Sequence, residues 1–548
     1  MGATRPTYDL IVIGAGINGA GIARDAAMRG LRVLLLDKGD LGGGTSSGPT
    51  RLIHGGLRYL EHGEIGLVRE SLRERERLLH AAPHLVQPLP LLIPIYRGDR
   101  RGWRLIKLGM AVYDLLSFDK SLPRHQMLSR RHALALAPGL RADGLLGAAR
   151  YFDAQVEFPE RLVVENALSA RAHGATLRTY TRVEQVLVEG GRVIGARIAA
   201  DGRASGENVF APVVVNVAGP WVDAVLAGAP GAAARELVGG TKGSHLAVPP
   251  FPGAPRDALY VEAQRDARPF FIIPWNDLFL IGTTEEPFAG DLDALAASDS
   301  EIAYLLEETN WVIPDAGLDW GDIRYTYAAV RPLPHQPGGE SGATTRRHIV
   351  HDHAAEGGPT GLISIVGGKL TTYRELAEQT VDVVCRRLGQ PATASPTRDA
   401  PLPGNAGVGE YAAFARDFAA GSGLPTRSAE HLLRVYGARA TSVLARATTP
   451  DLREPFDPES GAIGAEVVFA VEAEAARTLT DVLMRRTMAG YDRDAGIGAD
   501  VAAADVARRH LGWNEARVAA EVTAYRAFVA RRRSPVAALE ERAAVSHA

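Results

Sequence analysis

A chain of 548 residues with a net charge of −3, spread over 61 basic and 64 acidic side chains, has length for two or three domains with large cores and no charge bias toward nucleic acid. Its single cysteine, Cys385, excludes an intrachain disulfide and any zinc or iron–sulfur site built on several cysteines, and it fits a reducing compartment. The first residues lack the charged-then-apolar pattern of a secretory signal. The most apolar long stretch, 213–234, is broken by Asn216, Pro220 and Asp223, short of the roughly 20 clean residues that cross a bilayer, so any membrane association is expected to be peripheral.

The chain is organised around residues 8–37, YDLIVIGAGINGAGIARDAAMRGLRVLLLD. An apolar run of strand length meets a glycine cluster, then a helical segment, then a second apolar run ending in an acid, which predicts a βαβ unit that binds a dinucleotide. Gly14 permits the tight turn, Gly16 lets the backbone approach a pyrophosphate, and Gly19 lets the helix pack close to the strand. Asp37 stands where a carboxylate accepts hydrogen bonds from a ribose and would repel a 2′-phosphate, which disfavours NADP. This unit alone does not separate FAD from NAD.

Residues 41–63, LGGGTSSGPTRLIHGGLRYLEHG, form a loop poor in side chains and rich in backbone donors, suited to lie against a ring or phosphate. Its apolar anchors Leu52, Ile53, Leu57 and Leu60 argue against a merely flexible surface loop. Residues 65–79 carry apolar positions at helical spacing among alternating Arg and Glu and predict a surface helix with supporting ion pairs.

In 85–125 an apolar run is followed by Arg97, Arg100, Arg101, Arg104 and Lys107, with Trp103, Leu105, Ile106, Leu108, Met110 and Tyr113. That pattern suits a helix lying in a membrane interface; a core helix with snorkelling arginines has the same signature. From 176 the runs TLRTY, RVEQVLVE and RVIGARIAA predict a small antiparallel insertion, returning to the parallel sheet at 213–216. Residues 240–335 are β-rich and aromatic, with a hairpin whose turn lies at 275–277. At 361–372 an apolar strand runs into Gly367-Gly368-Lys369 and a helix, whose N-terminal amides suit an anion. Residues 391–409 read as a linker, and alanine-rich helices follow at about 430–447, 465–488 and 515–532. Arg531, Arg532 and Arg533 read as a solvated charge run.

RLIHGGLRYLEHGE together with GAGINGAGIARDAAMRG closely resembles the FAD-dependent glycerol-3-phosphate dehydrogenases. The likeness continues collinearly through VVNVAGPWV, KGSH, FIIPWNDLFLIGTTEEPFAGD, AVRPL, GGKLTTYRELAE, RVYGARA and LMRRTMAGY, so it covers nearly the whole chain. It implies an α/β fold: an FAD-binding Rossmann-like domain within an oxidoreductase region 1–390, an interleaved β-rich substrate domain (about 85–150 and 240–335), a linker at 391–409 and a C-terminal all-helical domain at 410–548. The turn at Ala218-Gly219-Pro220 matches the family's flavin-contacting turn and favours FAD.

The resemblance further implies oxidation of sn-glycerol 3-phosphate to dihydroxyacetone phosphate, with electrons passed to a membrane quinone. An oxidase using oxygen would show the same motifs, and a flavin-binding subunit of a larger electron-transfer complex is the alternative from another class. The family includes peripheral membrane enzymes, which favours the interfacial reading of 85–125 and a cytoplasmic location on the inner face of the cell membrane. A homo-oligomer is left open, and no metal is expected.

Within the matched motifs, Arg58 and Arg331 are candidates for the substrate phosphate, Lys369 is shared between substrate and flavin, and Tyr59 adds a hydroxyl contact. His245 and His54 are the candidate bases, because neighbouring cations favour a neutral imidazole. Expected cofactor contacts are Gly14, Gly16, Gly19, Asp37, Lys38, Thr45, Ser46, Ser47, Arg51, Leu52, His54, Gly55, Gly219, Gly368, Lys369, Leu370 and Thr371. Arg51 replaces a usual Lys. Pro159-Glu160-Arg161 replaces a usual Asp-Ala-Arg, with the expected loss of one carboxylate from a domain contact.

Overall fold

The computed structural model describes residues 7–532 except 62, 201–205, 233–234, 336–346 and 392. The runs Leu10–Ile13 and Val33–Leu36 are strands buried along their whole length. They lie side by side in a six-stranded sheet ordered 349–352, 362–366, 213–216, 10–13, 33–36, 176–178. Its neighbours run parallel except for the antiparallel pair at 349–352 and 362–366. Alternate side chains serve two different layers, which is why these strands are apolar throughout. Leu10, Val12, Val33 and Leu35 pack on the helices Ile17–Met28, Pro159–Ala172 and Tyr373–Arg387. Ile11, Ile13, Leu34 and Leu36 pack on a three-stranded antiparallel sheet, Thr181–Glu189, Arg192–Ala200 and Glu207–Phe210.

Thr176–Arg178 is not part of that insertion, as its sequence suggested, but the parallel edge strand beside Val33–Leu36. The helix Pro159–Ala172 delivers it there as the crossover of a βαβ unit.

The second layer system is a ten-stranded mixed sheet. Its longest pair is Val86–Tyr96 against Leu145–Val156, antiparallel. The apolar part of 85–125 is therefore a core strand rather than a helix, because Pro88, Pro90 and Pro94 would each break a helical ladder. Only Trp103–Leu116 is helical. The strands Pro269–Trp275 and Leu278–Gly282 form the expected hairpin. Its two-residue turn, Asn276-Asp277, has φ of 49° and 60°, the left-handed pair that matches strand twist.

The helix Ile65–Ala81 is half-buried through Leu67, Val68, Leu72 and Leu78. Its charges reach other elements instead of decorating a surface: Arg75 pairs with Asp153, and Glu74 with Arg374 at 2.6 Å.

Residues 393–401 lie along the helix Ile17–Met28, where the Arg24 guanidinium donates to the Ala400 and Pro401 carbonyls at 2.9 and 3.1 Å. Beyond them the described chain is helical apart from a ribbon, Pro455–Asp457 with Ala462–Ile463, and a π-turn, Val482–Arg486. Buried ion pairs fasten this region to the rest: Arg161–Glu474 at 2.6 Å, and Asp40 with Arg485 at 2.6 Å and Arg486 at 2.8 Å. Burial would raise the Glu474 carboxyl, yet Arg161 and Arg439 hold it down at about 2. Glu160 supplies a carboxylate to the domain contact rather than removing one, since it takes both Arg51 and the Tyr491 hydroxyl.

Candidate active site

One cavity of about 940 Å³ runs between the parallel sheet and the ten-stranded sheet. At one end it is lined by Gly14, Gly16, Asp37, Lys38 and Gly219, and at the other by His54, Tyr59, His245, Arg331 and Lys369. The first end is shaped by glycines. A Cβ on Gly14 would lie 2.7 Å from the Val217 carbonyl, and one on Gly19 would lie 1.8 Å from the Gly14 carbonyl. Gly19 therefore stands behind the cavity wall and sets the helix–strand approach. The hydroxyl of Ser46 accepts from the Ile17 amide at 2.9 Å, capping the helix whose N-terminus faces the cavity. Asp37 accepts from the amides of Ala15 at 2.6 Å and Gly39 at 2.8 Å. Burial raises its carboxyl, and those two donors work against the rise. Lys38 reaches Asp293 at 2.5 Å and lies 4.3 Å from the Trp221 ring centre.

Thr45, Ser46, Leu52, His54, Gly368, Leu370 and Thr371 also line the cavity. Four of the residues expected to touch the cofactor do not line it. Ser47 donates to the Gly42 carbonyl at 2.6 Å and shapes its own loop. The Gly55 amide donates to the Tyr113 hydroxyl at 2.9 Å. Arg51 is fully buried behind the wall in a bidentate pair with Glu160, between the rings of Trp275 and Tyr491, and Gly19 packs against the Gly14 carbonyl.

At the far end, Lys369 sits over the Tyr59 ring with Nζ 3.6 Å from its centre. Arg331 Nη2 donates to the Thr283 hydroxyl at 3.1 Å. Gly243 makes room for both, because a Cβ there would lie 2.5 Å from Thr283 Oγ1 and 2.7 Å from Arg331 Nη2. Arg58 begins the short helix Arg58–Glu61 next to Tyr59 but does not line the cavity. Burial holds the His245 imidazole well below its ordinary value, helped by the charges of Arg331 and Arg51. Burial likewise lowers His54, to about 4, with Asp153 opposing and Lys369 and Arg75 assisting. Both are therefore neutral, proton-accepting rings at neutral pH.

The sequence reading missed several wall residues. Thr50 bonds His245 at 3.0 Å, Asn18 donates to the Gly367 carbonyl at 3.4 Å, and Asp481, Arg485, Arg517 and Glu521 of the C-terminal region complete the cavity. The TSSGPT loop signalled Thr50 in type, but nothing local announced the C-terminal contribution.

The glycine-lined groove, the helix N-terminus and the ribose-type acid together suit an adenine dinucleotide carrying a flavin. Residues 9–374 match the profile of FAD-dependent oxidoreductases, and 395–518 match the C-terminal domain of alpha-glycerophosphate oxidase. A glycerol-3-phosphate dehydrogenase of Synechocystis sp. is 48% identical, over 95% of this chain and 96% of its own. A D-erythritol 1-phosphate dehydrogenase of Brucella abortus is 38% identical, over 88% and 94%. The crystal structure of the Bacillus halodurans glycerol-3-phosphate dehydrogenase complexed with FAD superposes with a TM-score of 0.78 at 27% identity, covering 97% of this chain and 96% of that one. Sequence, fold and cavity agree that the chain belongs to the family of FAD-dependent glycerol-3-phosphate dehydrogenases.

Proposed function

We propose that the protein oxidises the C2 alcohol of sn-glycerol 3-phosphate to dihydroxyacetone phosphate and passes the electrons to a membrane quinone. The observation that carries this reading is the convergence of Arg331, Lys369 and two neutral histidines on one end of the cavity. FAD, when bound, supplies the two-electron acceptor. Arg331 and Lys369 bind the phosphate dianion, the guanidinium through its fork and the ammonium as a point charge. Arg58 stands beside Tyr59 at the start of the short helix Arg58–Glu61 and is a further candidate for the same phosphate. His245 takes the hydroxyl proton, and His54 also lines the cavity. The backbone at 367–371 and the N-terminus of Tyr373–Arg387 turn positive partial charge toward the cavity.

Support for the quinone comes from the helix Trp103–Leu116. Leu105, Leu108 and Leu115 are 56%, 63% and 70% exposed, and Phe118 just beyond is 76% exposed. The three leucines fall on one face at spacings of three and seven, beside Arg104 and Lys107. Among the described residues no helix is long and apolar enough to cross a membrane, so this stripe supports peripheral docking on the inner face of the cell membrane. Anaerobic mixing of the FAD-loaded protein with glycerol 3-phosphate or D-erythritol 1-phosphate, followed by a quinone or oxygen, separates the substrate and acceptor readings.

A further inference from the structure

Arg517, Ala520, Glu521, Ala524 and Phe528 of the helix Glu515–Ala530 line the cavity, although this helix is the last element of the described chain. At 3.6 residues per turn they form one stripe along it. A second stripe, Val518, Val522, Tyr525 and Val529, packs into the hydrophobic core that holds the C-terminal helices. The two stripes lie roughly a quarter-turn apart, so the helix is seated by one while the other faces the cavity. Ala520 and Ala524 are exposed, and their methyl groups leave room that a larger side chain would take.

Contacts at both ends fix the helix in place. Near its start, Arg517 donates to the Arg477 carbonyl at 2.9 Å and Glu521 accepts from the Leu479 amide at 2.8 Å. The segment so held continues into Asp481, which accepts from the Tyr180 hydroxyl at 2.7 Å. Tyr180 has φ of 52°, a left-handed conformation that persists only where the surroundings over-determine it. Its amide donates to the Gly39 carbonyl at 2.9 Å, and the Arg477 guanidinium lies 5.1 Å from its ring centre. The next amide, that of Thr181, donates to the Asp37 carbonyl at 2.7 Å. Glu521 is thus joined through Leu479–Asp481 and Tyr180–Thr181 to the acid that suits a ribose. At the other end the Arg532 carbonyl accepts from the amide and the hydroxyl of Thr326 at 2.5 and 3.1 Å, on the strand Tyr325–Pro334 that also carries Arg331. The Arg532 guanidinium lies 5.4 Å from the ring centres of Tyr325, Tyr491 and Phe528, an anchor rather than part of a solvated charge run.

We propose that this helix is a wall of the cofactor site, with Arg517, Ala520, Glu521 and Ala524 bordering the adenosine half of FAD. The C-terminal region is then part of the cofactor site rather than an appendage to it. The effect is reciprocal: a cofactor held by the seated helix also holds the helix in its seat, because binding energy gained only in the seated arrangement stabilises that arrangement. The inference rests on FAD lying with its ribose at Asp37.

The test uses the full-length protein stripped of flavin, titrated with FAD or with ADP, which has the adenosine but not the flavin. Hydrogen exchange is followed at 515–530 and, as a report of binding itself, at the helix Ile17–Met28. Both ligands should slow exchange at both places. Ala524→Trp, which fills the cavity face, should raise the Kd for FAD on the order of tenfold or more. Ala519→Trp, on the same helix but outside the cavity lining, should leave it unchanged. Protection at 17–28 without protection at 515–530, with either ligand, overturns the proposal, as does an unchanged Kd in Ala524→Trp. Should Ala524→Trp fail to fold, the exchange of the wild type decides alone. Absence of protection at both places would instead strike the reading of the glycine-lined end as the nucleotide site.

Discussion

Lys369 Nζ lies 3.6 Å from the centre of the Tyr59 ring, so two segments over 300 residues apart in the chain meet at the end of the cavity where substrate is proposed to bind. Gly56 makes the contact sterically feasible, since a Cβ there would fall 2.0 Å from Tyr59 Cε2. The aromatic face attracts the ammonium through its quadrupole. Tyr59→Leu should weaken substrate binding by about 1 kcal/mol, roughly fivefold, whereas Tyr59→Phe should stay near wild type. Titration of flavin bleaching against substrate checks both. Equal losses in the two variants would mean that the hydroxyl, not the ring, matters.

Arg331→Ala removes the forked cation while leaving the glycine-lined groove intact. Substrate half-saturation should rise by roughly 10- to 100-fold, the range of about 1.5–3 kcal/mol for a charged hydrogen bond. Flavin content after purification should not change. Flavin loss in this variant would show that Arg331 supports the cofactor instead.

Asp37→Ala leaves the amides of Ala15 and Gly39 without their acceptor, at a cost of roughly 1–3 kcal/mol for each buried donor. Flavin retention on dilution, followed by fluorescence, should fall together with the melting temperature. Full retention of FAD would show that the acid plays no part in nucleotide binding.

Protonation provides a further handle. His54 is held at about 4 in the folded protein, and His245 also lies below its ordinary 6.5. An unfolded chain binds protons on these rings as pH drops through 6.5, while the folded chain does not until lower pH. Stability should therefore fall as pH falls from about 6.5 toward 4, by about 1.4 kcal/mol per pH unit for each ring kept neutral. Urea midpoints at several pH values test this, and His54→Gln should flatten the slope. A rise in stability over that window would contradict the burial of both rings in neutral form.

Much of the glycine-lined end of the cavity was legible because its determinants are local. Gly14, Gly16, Gly19 and Asp37 act through spacing within one βαβ unit, and the hairpin turn at Asn276-Asp277 is a short-range signal. What the sequence hid depended on partners far along the chain. Arg51 sits in a motif that elsewhere lines the cavity, but Glu160, Trp275 and Tyr491 draw its guanidinium behind the wall. The apolar run at 86–96 has the composition of an interfacial helix until its three prolines are weighed. Arg58 and Tyr59 are neighbours, yet of the two only Tyr59 lines the cavity, a difference that no motif encodes.

The exposed stripe offers a test of the membrane reading. Replacing Leu105, Leu108 and Leu115 together with Asp should abolish co-sedimentation with anionic lipid vesicles, while bleaching by substrate in solution persists. Unchanged sedimentation would assign the stripe to some other contact.

The most direct measurement is anaerobic mixing of the purified, FAD-loaded protein with sn-glycerol 3-phosphate while the visible flavin band is followed, the sample then being divided between a soluble quinone and oxygen. The account predicts rapid bleaching by this substrate, faster than by D-erythritol 1-phosphate, and rapid recovery with the quinone only. Absence of bleaching would contradict the proposed substrate, and equally rapid recovery with oxygen would contradict the quinone as acceptor.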